Sequence, residues 1–124
     1  MKTVAKEKAL ERLEIAHWQI EAGKINTLGS TLYFALFNYM QSILGEAPEG
    51  RWKHIGILKF FLKICTEKNY LDKLTLRKIS KIYEDLYQYR LKADYLDEDL
   101  TEKEKRELIF IYEVVKEVIN NGKN

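Results

Sequence analysis

One long run, from about Leu74 to Tyr95, constrains this chain more than any other stretch. Ile79, Ile82, Tyr83 and Leu86 recur at spacings of three and four, the apolar face of a helix. Arg90 and Asp94 extend the same row at steps of four, so the row turns from apolar to charged. A charge facing a helical core is costly unless it is paired and hydrogen-bonded. Within one helix an Arg four residues ahead of an acid is the weaker orientation, contributing only about 0.2–0.5 kcal/mol. Contacts from either group to another helix are therefore expected. Two readings stand side by side: an ion pair that closes the end of a bundle, or a site.

The remaining elements are helical as well. A first helix is expected from about Val4 to Ala22, with Ala9, Leu13, Ala16 and Ile20 as its stripe and Gly23 as its stop. Arg12 and His17 have four residues between them but point apart at 100° per residue, so the spacing reads as chance. Asn26 or Thr27 can cap a second helix that continues to about Leu44 before Gly45. Its apolar residues run nearly all the way round, which places it centrally, or against both its own bundle and a partner chain. Pro48 and Gly50 mark a loop, and the third helix is expected near Arg51 or Trp52, with His54, Leu58, Phe61 and Cys65 as its stripe and Ile55 and Leu62 alongside. His54 borders the core, either sealing the bundle end or contacting a phosphate. Gly56 inside this helix costs about 1 kcal/mol against Ala, so a close backbone approach is expected there. Thr101-x-x-Glu104 is a capping box for a fifth helix with Leu108, Ile111, Tyr112, Val115, Val118 and Ile119 on its apolar face and Asn121-Gly122 at its end. Nothing reads as strand.

At 124 residues the chain is expected to form a single domain, residues 1–124, with a core that needs no staples. Hydrophobic residues make up 46% and charged residues 32%, with six Gly and one Pro, which excludes disordered and disulfide-rich classes. The lone Cys65 reads as a buried thiol, not a nucleophile. No apolar run approaches the ~20 residues that span a bilayer, and no signal segment precedes the first helix, so a cytoplasmic protein with no membrane contact is expected. The net charge of +2 conceals an asymmetry: residues 1–50 sum to −1, residues 51–92 to +7 and residues 93–124 to −4. The basic middle fits either phosphate partners or a solvated helix face. With His17 and His54 as the only histidines, there is no metal-ligand cluster, no Ser-His-Asp set and no Gly-rich phosphate loop, and neither a metal nor a cofactor is expected.

Three pieces in order, Ser30-x-x-Tyr33-Phe34-Ala35-x-Phe37, Trp52-Lys53-His54-Ile55-Gly56 and Arg90-x-x-Ala93-Asp94-Tyr95, resemble the HEPN (higher eukaryotes and prokaryotes nucleotide-binding) domain. They are most similar to its small stand-alone prokaryotic branch. The resemblance implies an all-α, up-and-down bundle of four to five helices, commonly a homodimer, often encoded beside a small nucleotidyltransferase as a toxin–antitoxin-like pair. Ribonuclease members carry Arg followed a few residues later by His. Here Tyr95, Leu96 and Asp97 occupy those positions after Arg90. The chemistry needs a group titrating near neutrality to move the 2′-hydroxyl proton and a cation for the phosphorane charge. Arg90 supplies the second, whereas Tyr95 or Asp97 would supply the first poorly.

The expectation is therefore a non-catalytic protein that binds a nucleotide, RNA or a nucleotidyltransferase partner through a cleft lined by Arg90, Asp94, Tyr95, His54 and Tyr33. A metal-independent endoribonuclease toxin, with Arg90 and His54 as its catalytic candidates, is the competing class, and a ligand-free helical adaptor is the third.

Overall fold

The computed structural model describes residues 3–121, which form five helices and, among the described residues, no strand. Helix α1 spans Val4–Glu21, capped by the Thr3 hydroxyl accepting from the Lys6 backbone N–H. Its stop falls as expected, with Gly23 in the left-handed region at φ +73°. Helix α2 spans Leu28–Leu44, α3 His54–Glu67, α4 Lys73–Tyr95 and α5 Glu102–Asn121. Asp72 caps α4 by accepting from the Thr75 N–H, and α5 opens on the reciprocal Thr101–Glu104 capping box. Gly122, expected to help end α5, lies outside the described residues.

Helix α2 is the centre of the bundle and packs against all four others, most extensively against α1 and α4. Leu28, Leu32, Ala35, Leu36, Tyr39 and Met40 are all buried along it, which accounts for its apolar circumference. The whole expected face of α5 is buried too. A hydrophobic core thus runs through all five helices, as the all-α bundle reading requires.

Three local expectations are corrected. Helix α3 begins at His54, not at Arg51 or Trp52, because Lys53 is extended (φ −108°, ψ 161°) and the Trp52 indole N–H is held by the Gly45 carbonyl at 2.8 Å. Ile57 faces the core in place of Ile55, which is largely exposed. The close backbone approach lies at Gly29, where a Cβ would sit 2.6 Å from Tyr89 Cβ, so α2 and α4 meet there. Around Gly56 a Cβ would meet nothing within 4 Å.

Candidate functional site

The mixed row of α4 climbs out of the core. Ile79, Ile82, Tyr83 and Leu86 are buried, whereas the Arg90 and Asp94 side chains are 23% and 32% exposed and lie at the rim. Their helical spacing brings Arg90 Nε to 3.7 Å from Asp94 Oδ2, an ion-pair distance too long for a hydrogen bond. Asp94 instead accepts from the Ser30 hydroxyl of α2 at 3.1 Å. Arg90 packs its guanidinium over rings: 5.1 Å from the Phe34 centroid, 5.4 Å from Tyr33 and 5.9 Å from Tyr95. Its Nε is buried with no hydrogen-bond partner. Asp94 is thus anchored to the bundle, and Arg90 is oriented by aromatic faces with its donors unengaged.

His54 stands at the first position of α3, its side chain 18% exposed. Nδ1 lies 2.8 Å from the Tyr33 hydroxyl, that hydroxyl lies 3.0 Å from the Tyr83 hydroxyl, and Tyr83 donates to the His54 carbonyl at 3.0 Å. Proton counting assigns every donor. The carbonyl only accepts, so the single Tyr83 proton goes there; Tyr33 then donates to Tyr83, and Nδ1–H donates to Tyr33. The loop begins and ends on His54 and leaves Nε2 as the lone-pair nitrogen of the neutral ring. Nε2 faces Glu84 at 3.6 Å, a salt bridge only when the imidazole is protonated. The ring stacks on Tyr87 at 3.9 Å and on Tyr83 at 4.6 Å. Burial holds the His54 pKa below its ordinary 6.5, with Glu84 pulling the other way and Arg90 reinforcing the drop. Burial also pushes the Tyr33 and Tyr83 phenols up, so both stay protonated and the loop stays closed at neutral pH.

Tyr33 joins the two halves: its hydroxyl meets His54, and its ring meets Arg90. The five residues singled out in the sequence therefore converge on one end of α4, with Tyr95 the most open at 69% exposed. Phe34, Tyr83, Glu84 and Tyr87 belong to the same cluster and were not singled out as site residues. Glu84, Tyr87 and Arg90 follow at intervals of three, the spacing that places them near one another on a helix. Arg12 and His17 do diverge: Arg12 reaches Asn38 and Phe34 on α2, while His17 is exposed near Tyr112 and Glu21. Cys65 is buried, its thiol pushed up to about 11 by burial, which suits a packing role.

This all-helical bundle with its arginine–aromatic rim belongs to the HEPN domain family, whose profile matches residues 4–123. Among its relatives the chain is similar to a protein of Methanocaldococcus jannaschii named "Putative toxin MJ0605", at 30% identity over 105 residues that cover 79% of this chain and 75% of that protein. No helix of the described residues is long and apolar enough to cross a membrane.

Proposed function

We propose that this HEPN protein is a non-catalytic nucleotide- or RNA-binding member of a toxin–antitoxin-like pair, acting as a homodimer with a small nucleotidyltransferase in the cytoplasm. The observation that carries the reading is the state of Arg90. Its counter-ion Asp94 stays at ion-pair distance, 3.7 Å, while accepting its hydrogen bond from Ser30; the guanidinium lies against the rings of Phe34, Tyr33 and Tyr95 and makes no hydrogen bond among the described residues. A guanidinium oriented in this way is suited to a phosphate, and the rings beside it to a base. The toxin name of the relative supports the pair.

One observation favours the second reading, a metal-independent ribonuclease. His54 and Arg90 both touch Tyr33, and the assigned tautomer leaves Nε2 able to accept a proton. In that mechanism Nε2 takes the 2′-hydroxyl proton while Arg90 stabilises the phosphorane.

RNA incubated in EDTA with wild type, Arg90→Ala and His54→Ala separates the two. The non-catalytic reading expects binding without cleavage, with Arg90→Ala losing binding; cleavage that disappears in both variants would replace it with the ribonuclease. Co-purification with the product of a neighbouring nucleotidyltransferase gene, and light scattering at micromolar concentration, test the partner and the dimer.

A further inference from the structure

Arg90 is not the only cation on Phe34. Arg12 reaches across from α1, its guanidinium carbon 5.3 Å from the Phe34 centroid and its Nε donating to Asn38 Oδ1 at 2.8 Å. Asn38 is a buried amide whose nitrogen donates in turn to Gln41 Oε1 at 3.3 Å, so the acceptor that aims Arg12 is itself held by α2. No hydrogen bond or ion pair engages the terminal nitrogens of Arg12 among the described residues. With Arg90 at 5.1 Å from the same ring, the two guanidinium carbons are separated by at most about twice the distance from either to the ring. Like charges at such a separation repel. The carboxylate paired with Arg90, Asp94, stands 3.7 Å from it and also accepts from Ser30. Phe34 is half-buried, with both guanidinium groups over its ring.

We propose that Arg12 is a second phosphate-binding cation of the Arg90 site, and that the ligand is single-stranded RNA whose successive phosphates lie on Arg12 and Arg90. The proposal rests on the nucleotide- or RNA-binding reading of Arg90 and narrows it. Two directed cations on one aromatic ring can hold two successive phosphates of a strand, whereas a nucleoside monophosphate engages only one of them.

The test is fluorescence anisotropy with a labelled oligouridine octamer at several salt concentrations, beside a fluorescent AMP analogue. Wild type, Arg12→Gln, Arg12→Lys, Arg90→Gln and, as an equal loss of surface charge, Lys59→Gln are compared, each with its melting curve. Arg12→Gln is expected to weaken octamer binding about tenfold and to lower the log–log salt slope by about one, with AMP binding unchanged. Arg12→Lys should keep the slope and still lose affinity, because it keeps the charge without the fork; this variant decides the matter should Arg12→Gln fail to fold. Arg90→Gln should weaken both ligands. Octamer binding as tight in both Arg12 variants as in wild type, with Arg90→Gln impaired, would overturn the role of Arg12 and leave the Arg90 reading standing. Equal losses in Arg12→Gln and Lys59→Gln would do the same by reducing the effect to general charge. Absence of octamer and AMP binding in the wild type would overturn both.

Discussion

Two ion pairs use cations from the last two turns of α4, and they are built in opposite ways. Lys92 Nζ reaches both oxygens of Glu104, at 3.0 and 3.2 Å, and the same carboxylate accepts from the Thr101 backbone N–H at 2.9 Å. The Thr101 backbone bond, then Lys92, holds the Glu104 carboxyl below its ordinary range. Two residues earlier, Arg90 and Asp94 stand 3.7 Å apart without a hydrogen bond, and each looks elsewhere: the acid to Ser30, the cation to three rings. Lys92–Glu104 fastens the start of α5 to α4. Arg90–Asp94 fastens nothing to α5 and leaves its cation available. Proximity of opposite charges is thus a poor marker of function; the count of satisfied donors separates the two.

The largest effect on this comparison should come from moving α4 itself. Gly29→Ala places a methyl 2.6 Å from Tyr89 Cβ, which is expected to cost about 1–3 kcal/mol by overpacking despite the gain in helix propensity. Urea denaturation measures it, and unchanged stability would mean that the helices can part there freely. Next is Thr101→Ala, which opens the capping box and should destabilise by about 1 kcal/mol while leaving ligand binding intact. If binding fell with it, the two pairs would not be separable. Arg90→Gln should show the reverse pattern, a stability loss of about 0.5–1 kcal/mol from the aromatic contacts with most of the binding gone. A loss of several kcal/mol without any ligand effect would instead class Arg90 with Lys92. Gly56→Ala, with open space around its Cβ, should stabilise the monomer by about 0.5–1 kcal/mol, unless a second chain packs on that face, in which case sedimentation would show weakened association.

The smallest and most specific expectation concerns pH. His54 has a folded pKa below 6.5, so the unfolded chain binds the extra proton first. Stability is then full above about 6.5 and falls as pH drops from there through the folded value. His54→Gln should flatten that part of the melting-temperature profile. A wild-type profile already flat between neutrality and the carboxylate range would contradict the burial that sets the shift.

What the sequence made legible follows from range. The capping box and the stripe of α5 depend on residues three and four apart, and both were readable. Arg90 and Asp94 stood out because they interrupt a period, but the period could not tell that the row leaves the core at Arg90. That depends on where α2 crosses α4, a crossing set by Gly29 and Tyr89, far apart in the chain. Tyr83 was read as one more apolar position, since its hydroxyl matters only when His54 and Tyr33 are beside it. Arg12 was considered only against His17 on its own helix, and its actual partners, Asn38 and Phe34, lie on another. The glycine thought to permit close approach was Gly56, because a lone glycine in a helix looks the same wherever the neighbouring helix passes.

The loop through His54, Tyr33 and Tyr83 has a mechanical meaning as well. It grips one residue by its ring and by its carbonyl, from α2 on one side and from α4 on the other. Because both grips fall on the first residue of α3, they set the azimuth of that helix at its origin. A rotation about its axis, or a slide by one turn, would have to break both at once. Every side chain further along α3, from Ile57 and Phe61 inward to Lys59 and Lys63 outward, inherits its compass bearing from that single clamp.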